Sequence, residues 1–126
     1  MTTNIGTDYL PPSRIRDAVA LVMRDVDPAD PRVSVINADL TGLPPMLVCA
    51  GGNEVLHDSI VAFADKAEAA GVEVERVVEP HMFHDWLTVL PNGVSSMLTV
   101  ERISDFVDRT LDRELSARDR GPIRLA

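Results

Sequence analysis

The chain has a single cysteine, a single lysine and few aromatic residues: one tryptophan, one tyrosine and three phenylalanines in 126 residues. Cys49 alone cannot form an internal disulfide, which fits a reducing compartment such as the cytoplasm. Cations are in deficit, with 12 Lys and Arg against 20 Asp and Glu for a net charge of -8. No basic stripe is available to neutralise phosphates, so nucleic acid and anionic membrane surfaces are excluded as partners. No apolar run approaches the ~20 residues of a membrane-spanning helix. The opening residues MTTNIGTDYLPP lack a charged region followed by an apolar run, so no signal peptide is expected. Internal repeats and low-complexity segments are also missing. What remains is a 45% apolar chain of one domain or a piece of one, expected to be soluble.

The elements that are present alternate between strand and helix. Residues 1–12 end in Pro11-Pro12 and read as a flexible lead-in. SRIRDAVALVMRDV (13–26) sets Ile15, Val19, Val22 and Val26 on one helical face, with Ser13 as a cap. A proline-rich connection (27–45) follows. MLVCA (46–50) is a continuous apolar run between turn signals, suited to a strand buried on both faces. DSIVAFADKAEAAG predicts a helix over 58–70, with Asp58 as cap, Ile60, Phe63, Ala64 and Ala67 inward, and Gly71 as stop. VEVERVV predicts a strand over 73–78, and a long helix covers 94–114, its apolar stripe including Val94, Met97, Leu98, Phe106, Val107 and Leu111. The body is thus 13–115, with a polar tail over 116–126.

Strand, helix, strand is a βαβ unit, so the two strands are expected to be parallel and to end on one edge of the sheet. GGNE leaves the first strand and EPHMFHDW the second. Ligand sites in open parallel sheets form at such carboxyl ends. Between 81 and 86 stand His81, Phe83, His84 and Trp86, a costly grouping in a chain this poor in aromatics.

DPADPRVSVINADLTGLPPMLVCAGGNEVLHDS followed by AEAAGVEVERVVEPHMFHDW resembles the carboxyl-terminal part of α/β-hydrolases of the hormone-sensitive-lipase type of esterase. The resemblance runs from about residue 8 to about 112. It implies a partial α/β-hydrolase fold and a serine, acid and histidine triad in that chain order. His84 then takes the place of the general base, where a neutral imidazole takes a hydroxyl proton and returns it to the leaving group. Asn53 stands where the resemblance implies the acid. Glu54 and Asp58 are near enough to substitute, Glu54 being the nearer along the loop; their simpler roles are a solvated turn residue and a helix cap.

The nucleophile is missing. The family's serine sits in a G-x-S-x-G elbow, which does not occur in this sequence. GVSSM (93–97) ends in Met97 and follows a Pro-Asn-Gly turn, so Ser95 reads as an early helix residue. Cys49 lies in the apolar strand and reads as buried and inert. His81 reads as a surface residue, and an His81/His84 pair without further ligands is no zinc site. Neither metal nor cofactor is expected. Trp86 and Phe83 read as packing for the histidine loop.

Two functions are open at this level. One is the carboxyl-terminal segment of a carboxylic-ester hydrolase, inactive alone and acting on a small ester only when completed by an amino-terminal half. The other is a non-catalytic binding or assembly module of the same descent. Either way the 46–50 strand lacks a neighbour on its far side, and a homo-oligomer through that edge or the 13–26 helix is expected.

Overall fold

The computed structural model describes residues 4, 6–24 and 26–119. Expectations for 1–3, 5, 25 and the tail from 120 lie outside these residues. β1 (Met46–Gly51) and β2 (Val74–Glu79) form a two-stranded parallel sheet, with Met46 opposite Val74 and Gly51 opposite Glu79. The 46–50 and 73–78 strands are therefore found paired as expected. Between them α2 (His57–Ala69) makes the crossover.

α2 ends as its sequence dictates. Gly71 adopts φ +83°, its N–H reaching the Glu68 carbonyl (2.9 Å) and the Val72 N–H the Ala67 carbonyl (3.0 Å). Two orphan carbonyls are satisfied in a turn that only glycine enters cheaply. The start differs from expectation. Leu56 occupies the cap position without a side-chain bond, and Asp58 lies in the first turn, where its charge still suits the helix dipole.

Adjacent residues of β2 point to opposite faces. Arg76 reaches Asp65 and Glu68 of α2, whereas Glu75 meets Arg109 of α4 (Val94–Asp119) at 2.7 Å. The two helices therefore clad opposite faces of the sheet. The core on the α2 side is Leu40, Ala67 and Val72, with Phe63, Met46 and Val74 packed around them. Lys66, the lone lysine, donates to the carbonyls of Ile36 and Ala38 and so ties the proline-rich connection, with its single 3-10 turn Val35–Asn37, onto α2.

Two helices depart from expectation. α1 (Pro12–Val22) begins one residue early and stops before 26, where the Met23 N–H closes on the Val19 carbonyl. Ser13 is not its cap. Pro11 holds that position without a side-chain bond, and Pro12 fills the first turn, where a missing N–H costs nothing. α1 buries none of its residues, and Val19, Leu21 and Val22 are exposed. α4 runs past its expected end, and the face it turns inward is not the one its apolar letters suggest. Ser96 and Thr99 are buried and Ile103, Phe106 and Thr110 half-buried, at helical spacing. Met97, Leu98, Val107 and Leu111 are exposed, as is Val94. Small hydroxyl residues let α4 approach the body closely, and most of its large apolar side chains are left exposed.

The free edge of β1 carries a further consequence. Met46, Val48 and Cys49 with Phe63 of α2 and Ile103 and Phe106 of α4 line an open apolar groove of about 600 Å³. Both helix layers thus project past a strand edge that nothing among the described residues pairs. No helix among the described residues is long and apolar enough to cross a membrane.

Candidate active site

The loops leaving β1 and β2 meet because two glycines let them. A Cβ on Gly51 would lie 2.5 Å from the Met82 carbonyl oxygen, and one on Gly52 would lie 2.3 Å from that of Pro80. Across this approach run three bonds: Gly52 N–H to Glu79 O (2.7 Å), Asn53 N–H to Met82 O (2.9 Å) and Asn53 Nδ2 to His81 O (3.3 Å). The Asn53 amide is thus spent on the histidine loop's backbone and its side chain does not line the cavity below.

That cavity, about 210 Å³, is lined by His84 together with Cys49, Glu54, Ile60 and Trp86. Glu54 is 3% exposed, so it is not the solvated turn residue its glycine-rich surroundings suggest. Its Oε2 accepts the Gly51 N–H at 2.9 Å; its Oε1 is buried without a partner. An unsatisfied carboxylate oxygen in such a place costs stability unless a donor arrives. His84 is half-buried beside it, and the neighbouring Asp85 takes a left-handed φ of 60°, a strain that aspartate tolerates better than most residues. Neither Asn53 nor Glu54 is hydrogen-bonded to the His84 ring in this structure. The structure therefore brings Glu54 and His84 into one cavity and turns Asn53 away from it.

The other expected residues fall as follows. Trp86 is buried in the loop, and the Ser96 hydroxyl donates to its carbonyl at 3.3 Å. Phe83 packs edge-on against Tyr9, ring centroids 5.5 Å apart. His81 is exposed, and Ser95 lies in the first turn of α4. Cys49 is half-buried, not fully buried, and opens onto the cavity; burial, with the Glu75 charge second, pushes its thiol above the ordinary value. His57 Nδ1 donates to the Gly51 carbonyl at 3.0 Å and anchors the acid turn from beneath. Among the described residues no three His, Cys, Asp or Glu side chains converge as metal ligands would.

Sequence reasoning missed the lead-in's part. Asn4 Nδ2 donates to the carbonyls of Gly52 (2.7 Å) and Glu54 (3.1 Å), and the Thr7 hydroxyl donates to that of Asn53 (3.0 Å). Asp8 accepts from both loops, from Val55 N–H at 2.8 Å and from His84 N–H at 3.3 Å. These contacts span 46 to 76 residues of sequence, and no local pattern announces them.

Comparison with known proteins bears on this geometry. Residues 2–88 match the model of a family described as alpha/beta hydrolase fold. An acetyl-hydrolase of Streptomyces hygroscopicus is 46% identical over 70 residues, 53% of this chain and 23% of the relative. A carboxylesterase/phospholipase of Mycobacterium tuberculosis is 34% identical over 123 residues, 90% of this chain and 32% of the relative. Among solved structures, an esterase from the bacterial hormone-sensitive lipase family superposes with a TM-score of 0.82 at 34% identity, over 86% of this chain and 37% of that one. A hormone-sensitive lipase from a metagenome library gives 0.82 at 27% identity, covering 38% of that chain. The chain spans less than a third of the length of these two curated relatives.

Proposed function

The chain belongs to the alpha/beta hydrolase fold family, of the esterase and lipase type, and on that premise we propose that it is the carboxyl-terminal segment of a serine carboxylesterase, supplying base and acid to a serine held elsewhere. The observation that carries this reading is the buried Glu54 carboxylate, one oxygen unpartnered, sharing a cavity with His84 at the carboxyl ends of two adjacent parallel strands.

His84 takes the serine hydroxyl proton as the oxygen attacks the ester carbonyl, then passes it to the departing alkoxide. Glu54, not Asn53, receives the other imidazole N–H, fixing the tautomer and stabilising the imidazolium. An amide in that place keeps the shape and loses both tasks. No G-x-S-x-G occurs in the sequence, so the chain alone is expected to be inactive. The groove along β1 supports completion by further strands of the same fold. A single cysteine supports a cytoplasmic setting.

The exposed apolar stripe of α4 and the free β1 edge favour a second reading, an assembly module that self-associates as a homo-oligomer. One experiment addresses both. Short-chain p-nitrophenyl esters are assayed with the chain alone and with an added amino-terminal half of a relative, while light scattering follows association. Turnover only in the mixture, abolished by His84→Ala and cut on the order of 10³–10⁴-fold by Glu54→Gln but not by Asn53→Ala, is the expected result. Full retention by Glu54→Gln overturns the acid assignment, and oligomers without turnover in any mixture favour the assembly module.

A further inference from the structure

We propose that Asp8 is a positioning residue that holds the acid turn and the histidine loop at a fixed separation. Its carboxylate receives the Val55 N–H on Oδ2 at 2.8 Å and shares the His84 N–H between Oδ2 (3.3 Å) and Oδ1 (3.4 Å). Oδ1 also accepts Leu10 N–H at 3.2 Å, which fixes the carboxylate in its own turn. Val55 follows Glu54 directly, and the other amide is that of His84 itself. One acceptor therefore grips both loops, at His84 itself and at the residue next to Glu54.

The direct loop-to-loop bonds do not reach so far. They join Gly52 and Asn53 to residues 79, 81 and 82 and end there. Among the described residues, the hydrogen-bonded bridge beyond them runs through Asp8. Val55 is buried, so removing Asp8 leaves its donor unsatisfied rather than returning it to water, and frees the amide of half-buried His84 from its partner. A carboxylate acceptor binds an N–H roughly twice as strongly as a neutral one. Asn4 and Thr7 hold the same strap to the acid turn, and Tyr9 holds it to Phe83 on the histidine side.

A role in catalysis rests on Glu54 and His84 being acid and base; that reading fails in the ester assay, whereas the clamp is read on the chain alone. Native-state amide exchange by NMR is expected to show Val55 and His84 opening together, with one free energy and one denaturant dependence. Asp8→Asn should speed both on the order of tenfold or more while leaving Gly52 and Asn53, bonded directly across the loops, unchanged. It should also shift the ring resonances of His84, which shares its cavity with Ile60 and Leu87. Separate opening of the two amides in the parent overturns the clamp without any variant. Released amides with unchanged His84 ring resonances overturn the positioning role.

Discussion

Substituting Gly52 and Gly71 by alanine separates two reasons for a glycine. At Gly52 the backbone is open to any residue, but a Cβ would lie 2.3, 2.7 and 2.8 Å from the O, C and Cα of Pro80. These are backbone atoms that cannot rotate aside, so the histidine loop must move as a body. Overpacking costs roughly 1–3 kcal/mol. The shift also stretches the 2.7 Å bond from Gly52 N–H to Glu79, so a total of about 3 kcal/mol is expected. At Gly71 the added Cβ meets nothing within 4 Å, and the whole cost is the left-handed φ of +83°, about 1 kcal/mol. Urea unfolding followed by the fluorescence of Trp86, the only tryptophan and itself in the displaced loop, reads both. With m near 2 kcal/mol per M, the midpoint should fall by roughly 1.5 M for Gly52→Ala and roughly 0.5 M for Gly71→Ala. A smaller loss at Gly52 than at Gly71 would refute the argument that close approach of the loops fixes the glycine pair.

Val77 is 1% exposed and Leu21 69% exposed; Val77→Ala should cost about 2 kcal/mol and Leu21→Ala less than about 0.5 kcal/mol in the same titration. Equal losses would mean that α1 is covered in solution by another copy or segment. The raised Cys49 thiol predicts slow alkylation by iodoacetamide at neutral pH in the folded chain, against rapid reaction after unfolding. Because the folded value lies above the unfolded one, its contribution is complete below the ordinary thiol range and drains as pH rises through the folded value. The parent should therefore lose stability there relative to Cys49→Ala, and a gain would contradict the sign.

The sheet was legible because its strands announce themselves locally. MLVCA lies between turn signals, and VEVERVV follows a helix stop that turns on Gly71. The inward face of α4 was not, because apolar letters do not say whether they face this chain's own body. Ser96 and Thr99 are buried for their size, while Met97, Leu98, Val107 and Leu111 face outward. Glu54 reads in the sequence both as a substitute acid and, more simply, as a solvated turn residue; only the fold shows it buried beside the histidine loop. Asp8 was invisible for a different reason. Its partners are backbone N–H groups at sequence separations of 47 and 76, and backbone amides carry no letter in the sequence.

The register of the sheet acts as a ruler between the two loops. Each β1 residue faces the β2 residue 28 positions later, from Met46 to Gly51, and Asn53 meets His81 at the same interval. Inserted residues in the proline-rich connection before β1 would leave that interval untouched. One residue gained or lost inside β2 would not: the histidine loop would climb or sink by about 3.3 Å, and Arg76 and Val77 would exchange faces. Lineages carrying this chain should thus vary freely in length ahead of Met46 while keeping the count from Val74 to His84 constant.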